Sequence, residues 1–315
     1  MARLKITIGS RRSPLAMTQS EAVKAMLLAT DPELDVRIQE IVTSGDRILD
    51  SPLSRIGDRG LFVREIEDAM LRGDIDLAVH SAKDVPTVLP EGLGLAAFPE
   101  REDVADVFVG SLNGPAELAG GARVGTSSLR RRSQLLASFP DLEVVDIRGN
   151  VETRIRKVQE QGLAGTVLAA AGLKRLGRFA EAAFVFPPAI MLSAVGQGAL
   201  AIEARVDDER LAPLMGALDH QPTRLAVLAE RALMRALEGG CQVPIGAHAL
   251  REGDELRLAA FVGSVDGTQS VRMESRGSVA DPEGLGAALA ARMRAAGADA
   301  ILAGVRGGDH GAEWS

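Results

Sequence analysis

Residues 4–29 read LKITIGSRRSPLAMTQSEAVKAMLLA, and how this stretch folds decides the class of the whole chain. Leu4, Ile6 and Ile8 recur with the period of two expected of a strand. Ser13-Pro14 then marks a helix start, because a hydroxyl caps the first free N–H groups and proline fits the first turn. VRIQEIVT (36–43) reads as a second strand, FVREIEDAML (62–71) as a helix with Phe62, Ile66, Ala69 and Met70 on one face, and IDLAVH (75–80) as a third strand. Strand, helix, strand, helix, strand implies a parallel sheet with helices on its faces, an α/β architecture.

The pattern restarts near Asp106. ARVGTS (122–127), LEVVDI (142–147) and GTVLAA (165–170) read as strands, with helices starting at Leu129 and Val151. AIMLSAVGQGALAIEA (189–204) suggests a crossing between domains, and a long helix runs from about Pro222 to Leu237. ELRLAAFVGS and QSVRMESRGSV form an expected antiparallel pair around VDGT (265–268), and PEGLGAALAARMRAAG (282–297) closes a small α+β unit. The glycine-rich end reads as a frayed tail.

With 315 residues the chain suits two or three domains. The net charge of −7 argues against nucleic acid as the main partner, and the lack of tyrosine, with one tryptophan and eight phenylalanines, leaves little for base stacking. No apolar run approaches a membrane span, and MARLKITIGS has no apolar leader segment; with a single cysteine, the expected compartment is the cytoplasm. Phosphate loops, H-E-x-x-H and calcium-loop spacings are absent, so neither nucleotide nor catalytic metal is expected.

In open parallel sheets ligands bind beyond the carboxyl ends of the strands. GSRRSP (9–14), TSGDR (43–47), HSAKDVP (80–86), GTSSLRRR (125–132) and IRGNVETR (147–154) stand at those ends, each joining small or hydroxyl residues to charges. Three of them begin helices, whose free N–H groups favour anions. Lys5, Lys24, Lys83, Lys157 and Lys174 are the only lysines among 36 basic residues, so the corner cations are mostly arginines: Arg11, Arg130, Arg131, Arg148 and Arg154. Guanidinium forks match carboxylates. Taken singly, each corner also reads as a helix cap and a solvated charge; five at one edge read as a two-lobed cleft for a small, multiply anionic molecule. Residues 44–60 are long for a connection and read as a lid or as a solvated loop, with Arg47, Arg55 and Arg59 in reach of a ligand. Lys83 and Asp84 allow an acid/base carboxylate, a Schiff-base lysine or an ion-paired turn. Cys241, in LEGGCQVPIG (237–246), is either a small buried hydrophobe or a nucleophile and attachment point.

HSAKDVP, VGTSSLRRRSQL (124–135), IRGNVETR, AAGLKRLG (170–177), AVGQGAL (194–200) and LEGGCQVPIG, in this order, closely resemble the porphobilinogen deaminase (hydroxymethylbilane synthase) family over about Ile6 to Val305. The resemblance implies two domains like type II periplasmic binding proteins and a small α+β third domain. It places domain 1 at 1–98 plus 199–218 with lid loop 44–60, domain 2 at 103–193, domain 3 at 220–307, and a tail at 308–315. It further implies a monomeric transferase of tetrapyrrole biosynthesis that joins four porphobilinogen molecules, releases ammonia and yields hydroxymethylbilane. Cys241 matches the cysteine that carries a dipyrromethane cofactor through a thioether, with Gly239 and Gly240 ending the helix before it and leaving room beside the backbone. Asp84 matches the catalytic aspartate. Lys83, Thr126, Ser128, Arg130 and Arg131 match cofactor-binding positions. Arg11, Ser13, Phe62, Arg148, Asn150, Arg154, Arg175 and Gln197 match substrate-binding ones, and Arg55 and Arg59 lie in the lid where some bacterial relatives have lysine. The competing readings are a non-catalytic carboxylate receptor or sensor, which has no use for Cys241, and a Schiff-base enzyme acting through Lys83.

Overall fold

The computed structural model describes residues 3–43, 63–238 and 243–307. The lid loop with Arg47, Arg55 and Arg59, and also Phe62, Gly239, Gly240, Cys241 and residues 308–315, lie outside them. The strands are β1 (Lys5–Ser10), β2 (Asp35–Glu40), β3 (Leu77–Ser81), β4 (Leu93–Ala97), β5 (Asp106–Gly110), β6 (Arg123–Gly125), β7 (Glu143–Val145), β8 (Gly165–Ala169), β9 (Phe184–Val185), β10 (Leu200–Arg205), β11 (Ile245–Glu252), β12 (Glu255–Gly263) and β13 (Ser270–Ser278). The α-helices are α1 (Pro14–Thr30), α2 (Arg64–Leu71), α3 (Leu129–Ser138), α4 (Val151–Glu160), α5 (Ala170–Arg175), α6 (Ala212–Leu218), α7 (Gln221–Ala236), α8 (Pro282–Ala295) and α9 (Ala298–Gly307).

Two compact units result, one of Met1–Ser51, Asp58–Glu102 and Ala199–Arg224, the other of Pro52–Gly57, Asp103–Gly198 and Leu225–Ser315. The first unit holds a sheet of order β2-β1-β3-β10-β4, and the second holds β7-β6-β8-β5-β9 together with the three-stranded β11-β12-β13. The two five-stranded sheets share one plan. Three strands run parallel (β1 with β2 and β3; β6 with β7 and β8), and one strand arriving from elsewhere in the chain (β10 or β5) runs antiparallel and pairs with the last. The fold is α/β with two like sheets and a small α+β addition, as the family resemblance implies. The crossing segment does not merely connect: from Leu200 it becomes β10, a central strand.

Local signals set the element ends. Ser13 caps α1, its Oγ accepting from Ala16 N at 3.3 Å, with Pro14 in the first turn. Ile6, Ile8, Leu77, Val79, Ile202 and Ala204 form the first sheet's core layer against α1 and α6. On the opposite face Gly9 leaves room for Ile66 and Ile75, and a Cβ there would meet Ile75 at 2.3 Å.

The β12–β13 hairpin forms as expected, and β11, a strand not singled out from the sequence, pairs along all of β12 from Ile245 opposite Val262 to Glu252 opposite Glu255. The turn out of α7 begins at Glu238, which has φ +53, one residue before the glycines expected to end that helix. Inside the second unit Glu230 of α7 is fully buried. Its Oε2 accepts from Gly196 N at 2.7 Å and its Oε1 from Ala249 N at 2.8 Å, tying the 194–200 segment to β11.

Glu230→Ala strands both backbone donors, so the second unit should lose about 3 kcal/mol or more of stability, while Glu230→Gln, which keeps one acceptor, should lose clearly less. Urea unfolding of the two variants checks the order.

Candidate active site

Two polar corners of the first unit, GSRRSP and HSAKDVP, meet in one pocket. β1 ends at Ser10 and β3 at Ser81, and the two are neighbouring parallel strands, so the residues after each strand lie at the same sheet edge. Arg11, Ser13, Gln19, His80, Ser81 and Asp84 all line the pocket there. Lys83 and Asp84 stand on a single 3-10 turn, Ala82–Asp84, whose entry is fixed by Ala82 N donating to Ala199 O at 3.0 Å. Asp84 is exposed and Lys83 partly so. Gln19, which sequence reasoning passes over as a helix residue, is 3% exposed, and its Nε2 donates to Ser81 Oγ at 2.8 Å, holding the end of β3 against α1. Its only sequence signal is a polar residue on the core face of an amphipathic helix.

The second unit gathers the remaining matched residues around its own strand ends. Thr126 and Ser128 shape the entry to α3. Ser128 N donates to Thr126 Oγ1 at 3.2 Å, and Ser128 Oγ caps the helix by accepting from Arg131 N at 3.4 Å. Ser127 instead turns inward, its Oγ donating to Ile147 O at 2.7 Å.

Arg130 and Arg131 are the surprise: each is only 5% exposed. Between them lies Asp106, 0% exposed, with Oδ2 accepting from Arg130 Nη1 at 2.7 Å and Oδ1 from Arg131 Nε at 3.0 Å and Nη2 at 2.7 Å. Arg130 Nη1 also donates to Leu192 O and Arg131 Nη1 to Val167 O. Burial lowers the pKa of Arg130; Asp106 opposes this and Arg131 adds to it. One carboxylate against two guanidiniums leaves the cluster with net positive charge, which suits a carboxylate-bearing group. Arg132 is partly buried and donates to Val144 O at 3.2 Å.

Asn150 caps α4, its Oδ1 accepting from Thr153 N at 2.8 Å. Arg154 Nε donates back to Gly149 O at 2.8 Å, in a turn where Gly149 has φ +121 and a Cβ would strike the Thr153 side chain. Arg148 Nε lies 3.4 Å from Asp146 Oδ2. Arg175 Nη2 donates to Gly198 O at 2.7 Å, and fully buried Gln197 donates to Val104 O at 2.7 Å, so both fix the 194–200 segment. Among the described residues no group of three or more His, Cys, Asp or Glu is arranged to hold a metal, and no helix is long and apolar enough to cross a membrane.

The family model for the dipyromethane cofactor-binding domain of porphobilinogen deaminase matches residues 6–213, and that for the C-terminal domain of porphobilinogen deaminase matches residues 224–295. The chain belongs to the porphobilinogen deaminase family. Porphobilinogen deaminases of Trichlorobacter lovleyi and Geobacter sulfurreducens are each 52% identical to it, over 96% of this chain and 97% and 95% of theirs. That of Roseiflexus sp. is 52% identical over 95% of this chain and 99% of its own. Among solved structures, the methionine-binding protein MetQ aligns over 68% of this chain and 89% of its own at 15% identity and a TM-score of 0.43. Membership makes the chain a transferase of tetrapyrrole biosynthesis with a dipyrromethane cofactor, and does not favour the receptor or sensor reading.

Removing the carboxylate of Asp106 leaves two buried guanidiniums facing one another. Asp106→Ala should therefore destabilise the second unit by about 3–5 kcal/mol in urea unfolding, more than Arg132→Leu at the partly buried neighbour.

Proposed function

We propose that Asp84 is the catalytic residue of this chain's condensation of four porphobilinogen molecules to hydroxymethylbilane, and that the corner arginines hold the carboxylates of the substrate and the growing chain. The observation that carries this is the pocket in which an exposed carboxylate, Asp84, stands beside Arg11 and Ser13 at the ends of two neighbouring strands. Each condensation breaks the C–N bond of one aminomethyl group and the C–H bond of an acceptor pyrrole carbon. It forms one C–C bond, and the proton leaves with ammonia. Loss of ammonia creates a cation delocalised onto the pyrrole nitrogen. A fixed carboxylate at that nitrogen stabilises the transition state more than the neutral ground state.

The acetate and propionate groups need cations that remain charged. Arg11, Arg148, Arg154 and Arg175 are assigned to substrate carboxylates, and Ser13, Asn150, Gln197 and Phe62 are assigned to substrate binding as well. Lys83, Thr126, Ser128, Arg130 and Arg131 are assigned to the cofactor. The positive charge left over around Asp106 fits a group bearing carboxylates. Cys241 is its attachment point through a thioether, which cytosolic reductants do not cleave. When bound, the dipyrromethane supplies the free pyrrole end to which units are added. Arg55 and Arg59 are assigned to a lid. The division into domains 1–98 with 199–218, 103–193 and 220–307 goes with this reading, each holding one of the three sheets.

Intact mass of the purified protein should exceed that of the sequence by one dipyrrole, with the adduct mapping to Cys241; an unmodified mass in active enzyme would overturn the attachment. Asp84→Asn, which keeps size and one acceptor but loses the charge, should cut single-turnover rate at full occupancy by about a hundredfold or more. Asp84→Glu should retain more activity than Asn. A normal rate for Asn would remove Asp84 from the chemistry. Arg148→Leu should raise KM or stall chain extension through loss of a charge-assisted contact of about 1.5–3 kcal/mol.

A further inference from the structure

Three buried ionisable side chains behind the Asp84 pocket take no part in the condensation steps. In the antiparallel pairing of β3 and β10, Ala201 lies opposite His80 and Glu203 opposite Ala78, so His80 and Glu203 are diagonal neighbours on one sheet face. His80 Nε2 lies 2.9 Å from Glu203 Oε2, with the two side chains 5% and 0% exposed. Glu67 comes to the same face from α2, whose Ile66, Ala69 and Met70 pack with Ile75 and Ala78, and it too is buried. Glu203 Oε1 is buried and has no hydrogen-bond partner among the described residues. A carboxylate left half-satisfied in an apolar layer costs stability, so its retention calls for another use. The three side chains are not arranged as metal ligands. His80 and Ser81 line the same pocket as Asp84.

We propose that Glu67, His80 and Glu203 form a buried cluster that sets the electrostatic potential in the Asp84 pocket, holding negative charge behind the cation formed there. Glu67 and Glu203 act through the field and not by contact with the reacting atoms. The inference rests on the reading of Asp84 as the catalytic residue. In the low-polarity interior a carboxylate acts over longer range than in water.

The cluster is also poised to change charge. Burial, then the neighbouring Glu203, push the Glu67 carboxyl up to about 7; His80 opposes this and Asp68 on the same helix adds to it. Further charged groups stand nearby. Arg205, two residues along β10 from Glu203, is held by Asp208 at 2.9 Å and Asp76 at 3.6 Å and by the carbonyls of Met70 and Ile75. β1 brings Gly9 against Ile66 and Ile75, with Thr7 N donating to Asp76 Oδ2 at 2.8 Å, and Arg11 and Asp84 line the pocket. As pH rises through about 7, the cluster gains negative charge and the cation in the pocket becomes easier to form.

The sign for stability is opposite. A carboxyl that holds its proton more tightly folded than unfolded contributes fully below pH about 4.5, and that contribution is lost as pH rises to about 7. The wild type should thus lose thermal stability relative to Glu67→Gln across that window.

The test compares holoenzyme of wild type and Glu67→Gln, with cofactor occupancy fixed by intact mass. Single-turnover ammonia release is measured from pH 5.5 to 8.5. The wild-type rate should rise through about pH 7, and Glu67→Gln should stay on the low plateau, roughly fivefold slower at pH 8 with KM unchanged. Parallel profiles at equal occupancy overturn the proposal. Should Glu67→Gln not fold, infrared spectra of wild type with 13C-labelled glutamate decide. A protonated carboxyl band must be present at pH 5.5 and vanish through pH 7, and its absence at pH 5.5 overturns the proposal. The infrared titration reads the cluster even if Asp84→Asn turns over normally, so failure of this inference and failure of the Asp84 reading are distinguishable.

Discussion

The carboxylate of Asp106 has no contact with solvent and carries two guanidinium groups on its two oxygens. The second unit is organised around that contact. Asp106 opens β5, the antiparallel strand at the heart of its sheet; Arg130 and Arg131 belong to the first turn of α3; and their remaining donors reach Leu192 O and Val167 O. Strand, helix and the approach to the 194–200 segment are therefore fixed by one buried ionic contact. Its charges do not cancel. An isolated buried pair gives little stability, whereas two arginines on one acid leave a net positive charge inside the unit.

Buried carboxylates recur as ties between distant parts of the chain, and their hydrogen bonding separates two kinds. Both oxygens of Asp106 and both oxygens of Glu230 are used, by guanidiniums in one case and by the N–H groups of Gly196 and Ala249 in the other. Those are structural clamps. Glu203 is equally buried but, among the described residues, uses one oxygen only, on His80. The same residue class thus shifts from holding the backbone to holding charge when one acceptor is left over.

The sequence shows the corners of the site far more readily than their supports. Ser13, Ser128 and Asn150 are legible because capping is local: a short polar side chain reaches the N–H three residues on. Three of the six parallel strands, β1, β6 and β7, are legible because each leads into such a cap. Strand direction is not local, and so nothing in the sequence marks β5 and β10 as running against their neighbours. β11 is hidden because IGAHALRE mixes glycine, alanine and charge behind Pro244, and it becomes a strand only by pairing with all of β12. Helix α9 is masked by Gly297, which takes φ +101 and restarts the chain after α8. Burial of Arg130 and Arg131 is illegible for a different reason. Adjacent arginines opening a helix look solvated, and the acid that draws them in lies 24 and 25 residues away.

A chain with net charge −7 that handles a polycarboxylate must concentrate its cations locally and choose ones that cannot be switched off. Arginine meets that need, since its guanidinium stays protonated even when buried against another. Lys83 is the only lysine among the assigned residues. The complementary need, negative charge for a short-lived cation, is met in the proposed reading by groups that can respond to protons, because a permanent unpaired buried anion would be costly. The division arises from the chemistry of the two charges. In the proposed assignment, substrate carboxylates, present throughout the cycle, meet fixed arginines, while the cation, which exists only as ammonia leaves, meets one exposed carboxylate, Asp84, with the proposed protonatable cluster behind it.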